Sequence, residues 1–155
     1  MKQAFCRLGY QNDLEFIGKL SDRVFSRYGN YDEILPAWVL DPRVMTIIIT
    51  EDTERLGFAM LQIERRAKLK PRKGQLLAIA VKPDRQRQGI GKKLLAHVES
   101  LACERGVKEV YLCTAQDNKH AQSFFQKAGY ELKGSEEHYY PKGQPALVMS
   151  KGLGL

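Results

Sequence analysis

Residues 76–81, Leu-Leu-Ala-Ile-Ala-Val, are apolar at every position, so the segment has no polar face to turn toward water. A strand of this kind is stable only when covered on both sides, which places Gln75–Val81 in the middle of a sheet flanked by helices. Lys82-Pro83-Asp84 breaks the strand. A glycine-bearing turn follows, and a helix runs from Gly89 to Arg105, with Leu94, Leu95, Val98, Leu101 and Ala102 on one apolar face and Gly106 as its stop. The rest of the chain has to be arranged around this strand, turn and helix.

Gln3–Leu8 reads as a short strand. Asn12-Asp13-Leu14-Glu15 pairs a side-chain acceptor with a Glu three residues on, the pattern of a capping box, and opens a helix that ends at Tyr28-Gly29-Asn30. Residues 31–40 hold a second short helix containing Pro36. Val44–Thr50 is a β-branched strand, and residues 51–55 connect it as a hairpin to a strand over Leu56–Glu64. Residues 65–73 form a basic loop. After the long helix come a buried strand over Glu109–Thr114, a helix over Asn118–Ala128 closed by Gly129, and two last strands, Tyr130–Tyr139 and Ala146–Lys151. The order β-α-α-β-β-β-α-β-α-β-β predicts an α/β fold: one domain over residues 1–155 with a mixed, mostly antiparallel sheet of six to seven strands and helices on both faces.

No apolar run approaches the ~18 residues of a membrane span, and the first residues lack a secretory apolar core. Three cysteines at spacings far from CxxC argue against a disulfide frame or a metal site and fit a reducing cytoplasm. The formal net charge of +7 is unevenly spread. Residues 1–64 carry 7 basic and 10 acidic side chains, residues 65–94 carry 11 and 1, and residues 95–155 carry 7 of each. The whole excess lies in thirty residues, which points to a local anionic partner.

Within that block, Arg85-Gln86-Arg87-Gln88-Gly89-Ile90-Gly91-Lys92 joins the central strand to the long helix. A helix N-terminus exposes unpaired N–H groups, glycines let backbone approach an anion, and Arg87 and Lys92 add charge: a phosphate site. A Walker A loop is excluded because Gln86 stands where its first glycine belongs and Lys93 where its hydroxyl belongs. The dinucleotide fingerprint fails at Leu94, where its third glycine would fall.

Gln86-x-x-Gly89-x-Gly91 after Leu-Leu-Ala-Ile-Ala-Val resembles the acetyl-CoA-binding motif of the GNAT family of N-acetyltransferases. Asn118-Lys119-His120-Ala121 through Gly129-Tyr130 is similar to that family's second signature. The close resemblance covers residues 75–150. Within the family the chain looks most like the bacterial ribosomal-protein alanine N-acetyltransferases, through Ile-Ala-Val, Arg85–Leu95 and the late stretch His138-Tyr139-Tyr140-Pro141. The resemblance implies a GNAT-type domain that binds acetyl-CoA, with Ile79, Ala80, Val81, Arg87, Gln88, Gly89, Ile90, Gly91, Lys92 and Asn118 at the cofactor. It further implies direct attack of an amine on the thioester, the amine being a peptide or protein N-terminus or a small amine. Backbone N–H groups near Ile79–Val81 would serve the oxyanion. The acidic first 64 residues are expected to face the acceptor.

Two positions depart from the relatives. Cys113 stands where the alanine acetyltransferases carry a Glu general base, and Phe125 where they carry a Tyr general acid. Three explanations stay open. Proton handling has moved to His138, Tyr139, Tyr140 or Glu64; or Cys113 itself takes part, with a reference pKa near 8.5; or the acceptor needs little help. An α-amine of reference pKa near 7.7–8.0 is roughly 10% neutral at pH 7, far more than a lysine. Tyr140 and Cys113 are therefore the candidate catalytic residues. The competing function is a CoA-binding or interaction module that has lost proton transfer. The basic loop 65–73, with 6 basic residues in 9, is a candidate surface for an acidic partner.

Overall fold

The computed structural model describes residues 3–65 and 70–154. Its strands are β1 (Ala4–Leu8), β2 (Val44–Glu51), β3 (Glu54–Ile63), β4 (Arg72–Val81), β5 (Val107–Ala115), β6 (Glu131–Glu136) and β7 (Ala146–Gly152). Its helices are α1 (Leu14–Phe25), α2 (Tyr31–Val39), α3 (Ile90–Glu104) and α4 (Lys119–Lys127). The seven strands form one sheet in the order β1-β2-β3-β4-β5-β7-β6. Every pairing is antiparallel except β4 with β5. Class, element order and strand number are those expected.

Alternation along β2 shows how the two faces are built. Ile47 and Ile49 point into a core with Leu94, Leu95 and Val98 of α3 and Leu112 of β5. Ile48 points the other way, into a core with Ile17 and Leu20 of α1, Leu35 of α2, and Phe58 and Met60 of β3. The run 76–81 contributes to both cores, Leu76 and Val81 to the first and Ala80 to the second. Helices therefore cover both faces. Among the described residues no helix is long and apolar enough to cross a membrane.

Several boundaries differ from expectation. β4 starts at Arg72, so Arg72 and Lys73 leave the basic loop for the sheet. Arg72 donates to the Arg105 carbonyl and Lys73 pairs with Glu109. Positions 66–69 of that loop lie outside the described residues. β6 ends at Glu136 rather than Tyr139. His138 has φ 51°, a left-handed conformation that no strand continues.

The capping box read at Asn12 and Glu15 does not form. The carboxylate that organises this corner is Asp13, with a side chain wholly out of water. It accepts both guanidinium nitrogens of Arg7 at 2.9 and 2.8 Å, the Arg55 Nε at 2.7 Å and the Tyr10 N–H at 2.9 Å. Asp13 thus ties β1, the entry to α1 and β3 together, while Glu15 pairs with Lys19 on the helix surface. The Arg7 guanidinium first, with help from Tyr10 and Arg55, holds the Asp13 carboxyl well below the usual carboxylate range. Its contribution to stability is in full force above the unfolded carboxyl pKa and is lost as pH falls through the lower folded value. Asp13→Ala is expected to lower stability by about 2–3 kcal/mol. That is less than a fully buried pair costs, because both arginines are about a third exposed and can rehydrate. Urea melts at pH 7 test this. The difference from wild type should shrink in strong acid, and a constant difference would deny the ion-pair role.

Candidate functional site

The sheet opens where β4 and β5 part. Their parallel pairing runs from Arg72 opposite Val107 to Leu76 opposite Leu112 and then stops. Between Met60–Ala78 and Leu61–Leu76 on the β3 side, β4 carries one extra residue, Leu77. Such a bulge bends its strand and increases its twist. From Leu77 onward β4 follows β3, while Cys113–Ala115 of β5 follow β7. A cavity of about 730 Å³ extends through the gap.

Hydrogen bonding fixes which backbone groups face the gap. Lys82 N–H donates to the Leu56 carbonyl, so Ala80 faces Phe58 in the next antiparallel bonded pair. Ile79 and Val81 then turn their N–H and C=O groups to the open edge. The Gln86 side-chain amide donates to the Val81 carbonyl at 3.1 Å, which folds the turn back against the strand end. Gln86 lines the cavity as well. The motif that opens on Gln86 marks the position, while the bond back to the strand carbonyl depends on how the turn folds.

The turn is built from left-handed residues. Arg87 has φ 64° and Gly89, the N-cap of α3, has φ 80°. At Gly89 the conformation alone calls for glycine, since nothing lies within 4 Å of where a Cβ would stand. The first N–H groups of α3 open toward the cavity, which Arg87, Gly89, Gly91 and Lys92 line. Gln88 and Ile90 do not line it. The Gln88 side-chain oxygen accepts from the Arg85 Nε, and Ile90 is in the core.

The basic block separates into two groups. Lys82 pairs with Glu54, Arg85 pairs with Glu51 and Glu54, and Lys93 donates to the Ala4 carbonyl while lying over the Phe5 ring. Arg87 and Lys92 have no ion pair among the described residues, and both line the cavity. Positive charge without an internal partner is therefore concentrated where the helix N-terminus points. Asn118 lines the opposite wall, and its side-chain oxygen accepts from the Ala121 N–H as the cap of α4.

The other half of the cavity is aromatic. Tyr140 stands 4.9 Å from Tyr28, 4.9 Å from Tyr139 and 6.5 Å from Tyr31, centre to centre. The Tyr28 hydroxyl donates to Asp117 at 3.1 Å. Burial pushes the phenols of Tyr139 and Tyr140 well up, so both stay protonated at neutral pH. Cys113, half-buried on β5 beside Tyr139, also has its thiol raised by burial.

The structure brings Cys113, Tyr139 and Tyr140 to one place and leaves the other candidates out. Glu64 accepts the Tyr111 hydroxyl at 2.5 Å, away from the cavity, and His138 is exposed. Phe125 packs edge-on against Phe124 and Tyr130 at the core and also lines the cavity, with a ring that carries no transferable proton. The first 64 residues do reach the cavity, through α1 and α2, but not with their acidic side chains. Among the described residues no Asp or Glu lines the cavity, and Asp22, Asp32 and Glu33 of the first helices face solvent. No group of metal-binding side chains is found among the described residues.

A raised thiol is a poor nucleophile and a poor base at neutral pH. Iodoacetamide at pH 7.5 should therefore modify the exposed Cys103 well before Cys113, read by peptide mass spectrometry. Equal or faster labelling of Cys113 would show it to be activated.

Comparison with known proteins agrees with this geometry. The family model described as the acetyltransferase (GNAT) family matches residues 14–130. The ribosomal protein bS18-alanine N-acetyltransferase of Salmonella typhimurium is 29% identical over 116 residues, 73% of this chain and 74% of that one. The crystal structure of the ribosomal-protein-S18-alanine N-acetyltransferase from Escherichia coli superposes with a TM-score of 0.81 at 23% identity, covering 99% of this chain and 96% of that one. The PaiA N-acetyltransferase from Thermoplasma acidophilum, solved in complex with coenzyme A, gives 0.77 at 19% identity over 97% and 99% of the two chains. With a family match over most of its length, an opened β4–β5 edge and a glycine turn at a helix start, the chain belongs to the acetyltransferase (GNAT) family.

Proposed function

We propose that the chain transfers an acetyl group from acetyl-CoA to the α-amine of a peptide or protein N-terminus or of a small molecule, by direct attack of the amine. The observation that carries this reading is the open β4 edge. Ile79 and Val81 present backbone groups to the gap, and it leads directly to the N-terminus of α3.

The residues present fit the cofactor. A pantetheine-like arm can add to the β4 edge as a short strand, using the backbone of Ile79 and Val81. The N–H groups of α3, together with Arg87 and Lys92, suit a pyrophosphate. When bound, acetyl-CoA supplies the activated carbonyl. An N–H of the β4 edge would stabilise negative charge on that carbonyl oxygen.

Neutralising the amine is the step for which the chain has no obvious base. Cys113 occupies the position of the family's Glu, and its thiol remains protonated. The cavity wall supplies a different means. Desolvation beside Tyr28, Tyr31, Tyr139 and Tyr140 disfavours an ammonium, so the acceptor enters as the free base and leaves its proton in water. Tyr140, with its phenol held protonated, is the proposed donor to the departing sulfur, and its phenolate would take back the proton that the attacking nitrogen sheds as the amide forms. Loss of a positioned proton donor costs about 10²–10⁴ in rate. A module that binds CoA without turnover is the competing reading, and the replacement of both family proton carriers favours it.

A thiol-release assay with acetyl-CoA against N-terminal peptides, polyamines and amino acids separates the two. Turnover supports the enzyme; tight CoA binding with no turnover on any acceptor would establish the module. Gly89→Val should abolish CoA binding by calorimetry and also lower the melting temperature, since the left-handed backbone there strains any side chain although nothing crowds it. Unchanged affinity would show that the turn does not hold the cofactor. Tyr140→Phe should lower kcat by roughly 10²-fold or more.

The pH profile tests the missing base. Below the acceptor pKa, kcat/KM should rise tenfold per pH unit, and the bend should move with the amine when acceptors of different basicity are compared. A bend fixed at one pH for all acceptors would assign it to a group on the protein, of which His120 is the imidazole lining the cavity.

A further inference from the structure

We infer that the acceptor is a primary amine carried on a large apolar body, a class that includes a peptide beginning with Phe or Leu and a free arylalkylamine. This rests on the acetyl-transfer reading above and narrows it.

The acceptor half of the cavity is walled by Phe25, Tyr28, Tyr31, Trp38, Tyr139 and Tyr140, with Val24 and Leu35 between them. These rings form one connected set. Phe25 meets Tyr31 edge-on at 6.0 Å, Tyr31 meets Tyr140 at 6.5 Å, and Tyr140 meets both Tyr28 and Tyr139 at 4.9 Å. A wall of this kind offers apolar surface and a few neutral hydroxyls. It offers no carboxylate, since no Asp or Glu lines the cavity among the described residues. A polyamine or a lysine-like acceptor would bring in a second ammonium with no partner of opposite charge. A small acceptor would leave the rings uncovered, and in an apolar pocket one missing methylene reduces specificity by roughly tenfold or more.

The chamber is held open rather than able to close around a small guest. The corner between α1 and α2 is locked to the loop before β7 at three points, and to the loop after β5 through Asp117. A Cβ at Gly29 would stand 2.7 Å from the Pro141 ring, so the two segments already touch. Lys142 N–H donates to the Tyr28 carbonyl at 3.2 Å, and the Gln144 amide donates to the Arg27 carbonyl at 2.9 Å. Arg27 also pairs with Asp117, which accepts the Tyr28 hydroxyl. An aromatic wall can instead cradle a cation over ring faces. Here the Tyr140 ring is flanked by Tyr28 and Tyr139, and the attacking nitrogen has to be neutral, so ring faces are not what recognises the amine.

The test measures kcat/KM with acetyl-CoA on four tetrapeptides that differ only in their first residue, Ala, Ser, Leu or Phe, with phenethylamine and spermidine as separate arms. The Leu and Phe peptides should exceed the Ala and Ser peptides by tenfold or more. Trp38→Ala should reduce the Phe-to-Ala ratio about tenfold. Val24→Trp, which narrows the chamber from α1, should do the same and serves if the first variant does not fold. A Phe peptide preferred over phenethylamine assigns a peptide N-terminus, and the reverse assigns a small amine. Ala or Ser equal to Phe, or spermidine preferred over all, overturns the inference and leaves acetyl transfer standing. Absence of turnover with every acceptor overturns both.

Discussion

The parting of β4 from β5 is the constraint on which the rest of this structure depends. A sheet that stayed paired from Arg72 to Val81 would have no gap, no free backbone edge and no passage from one face to the other. One extra residue, Leu77, bends β4 away, and the antiparallel pairing to β3 carries it on without β5. Close contact between β3 and β4 maintains that path. A Cβ at Gly57 would stand 2.4 Å from the Ala80 carbonyl oxygen, so the two backbones lie nearer than any side chain would allow. On the far side, Cys113–Ala115 are held by β7 and do not follow β4. The gap is thus wedged from both sides by ordinary strand pairing.

Charge and apolar surface are divided between the two halves of the cavity. The half near α3 has Arg87, Lys92 and a helix N-terminus, which suit an anion. The half near α1 and α2 has rings, a protonated thiol and protonated phenols, which suit a neutral guest. The net charge of +7 therefore has a local meaning. Some of the excess is absorbed within the fold, by Glu51 and Glu54 for Lys82 and Arg85 and by Glu109 for Lys73. Arg87 and Lys92 are left facing the cavity.

The parts of this site that could be read in the sequence are those with local causes. Gly89 was legible because a glycine before a helix start is a property of the turn itself, and Asn118 through the motif it opens, in which it proves to cap α4. The central strand was legible because an all-apolar run can only be covered on both faces. What could not be read came from partners far along the chain. Nothing near Glu64 shows that Tyr111 will take its carboxylate, and nothing near Asp13 shows that Arg7 and Arg55 converge on it. The bulge at Leu77 depends on register against β3, and the ring set depends on α1, α2 and a loop more than a hundred residues later meeting at one place. The acidic N-terminal segment reaches the cavity as expected, but its charge does not, for the same reason. Composition gives the charge of a segment, while the fold decides which of its residues face a cavity.

The free edge at Ile79 and Val81 has a further consequence for the thermodynamics of the molecule. In an uninterrupted sheet those backbone groups would be satisfied by β5, as they are at Leu76 and before it. Here Gln86 takes the Val81 carbonyl and the others fall to water or to a guest, so folding is left incomplete by a few hydrogen bonds, and a ligand laid along β4 makes the bonds that the chain withholds from itself. Occupancy and stability are then linked quantities: a ligand that binds only the folded chain stabilises it in proportion to the logarithm of its concentration. The melting temperature of this protein is in that sense a gauge of how far its gap is filled.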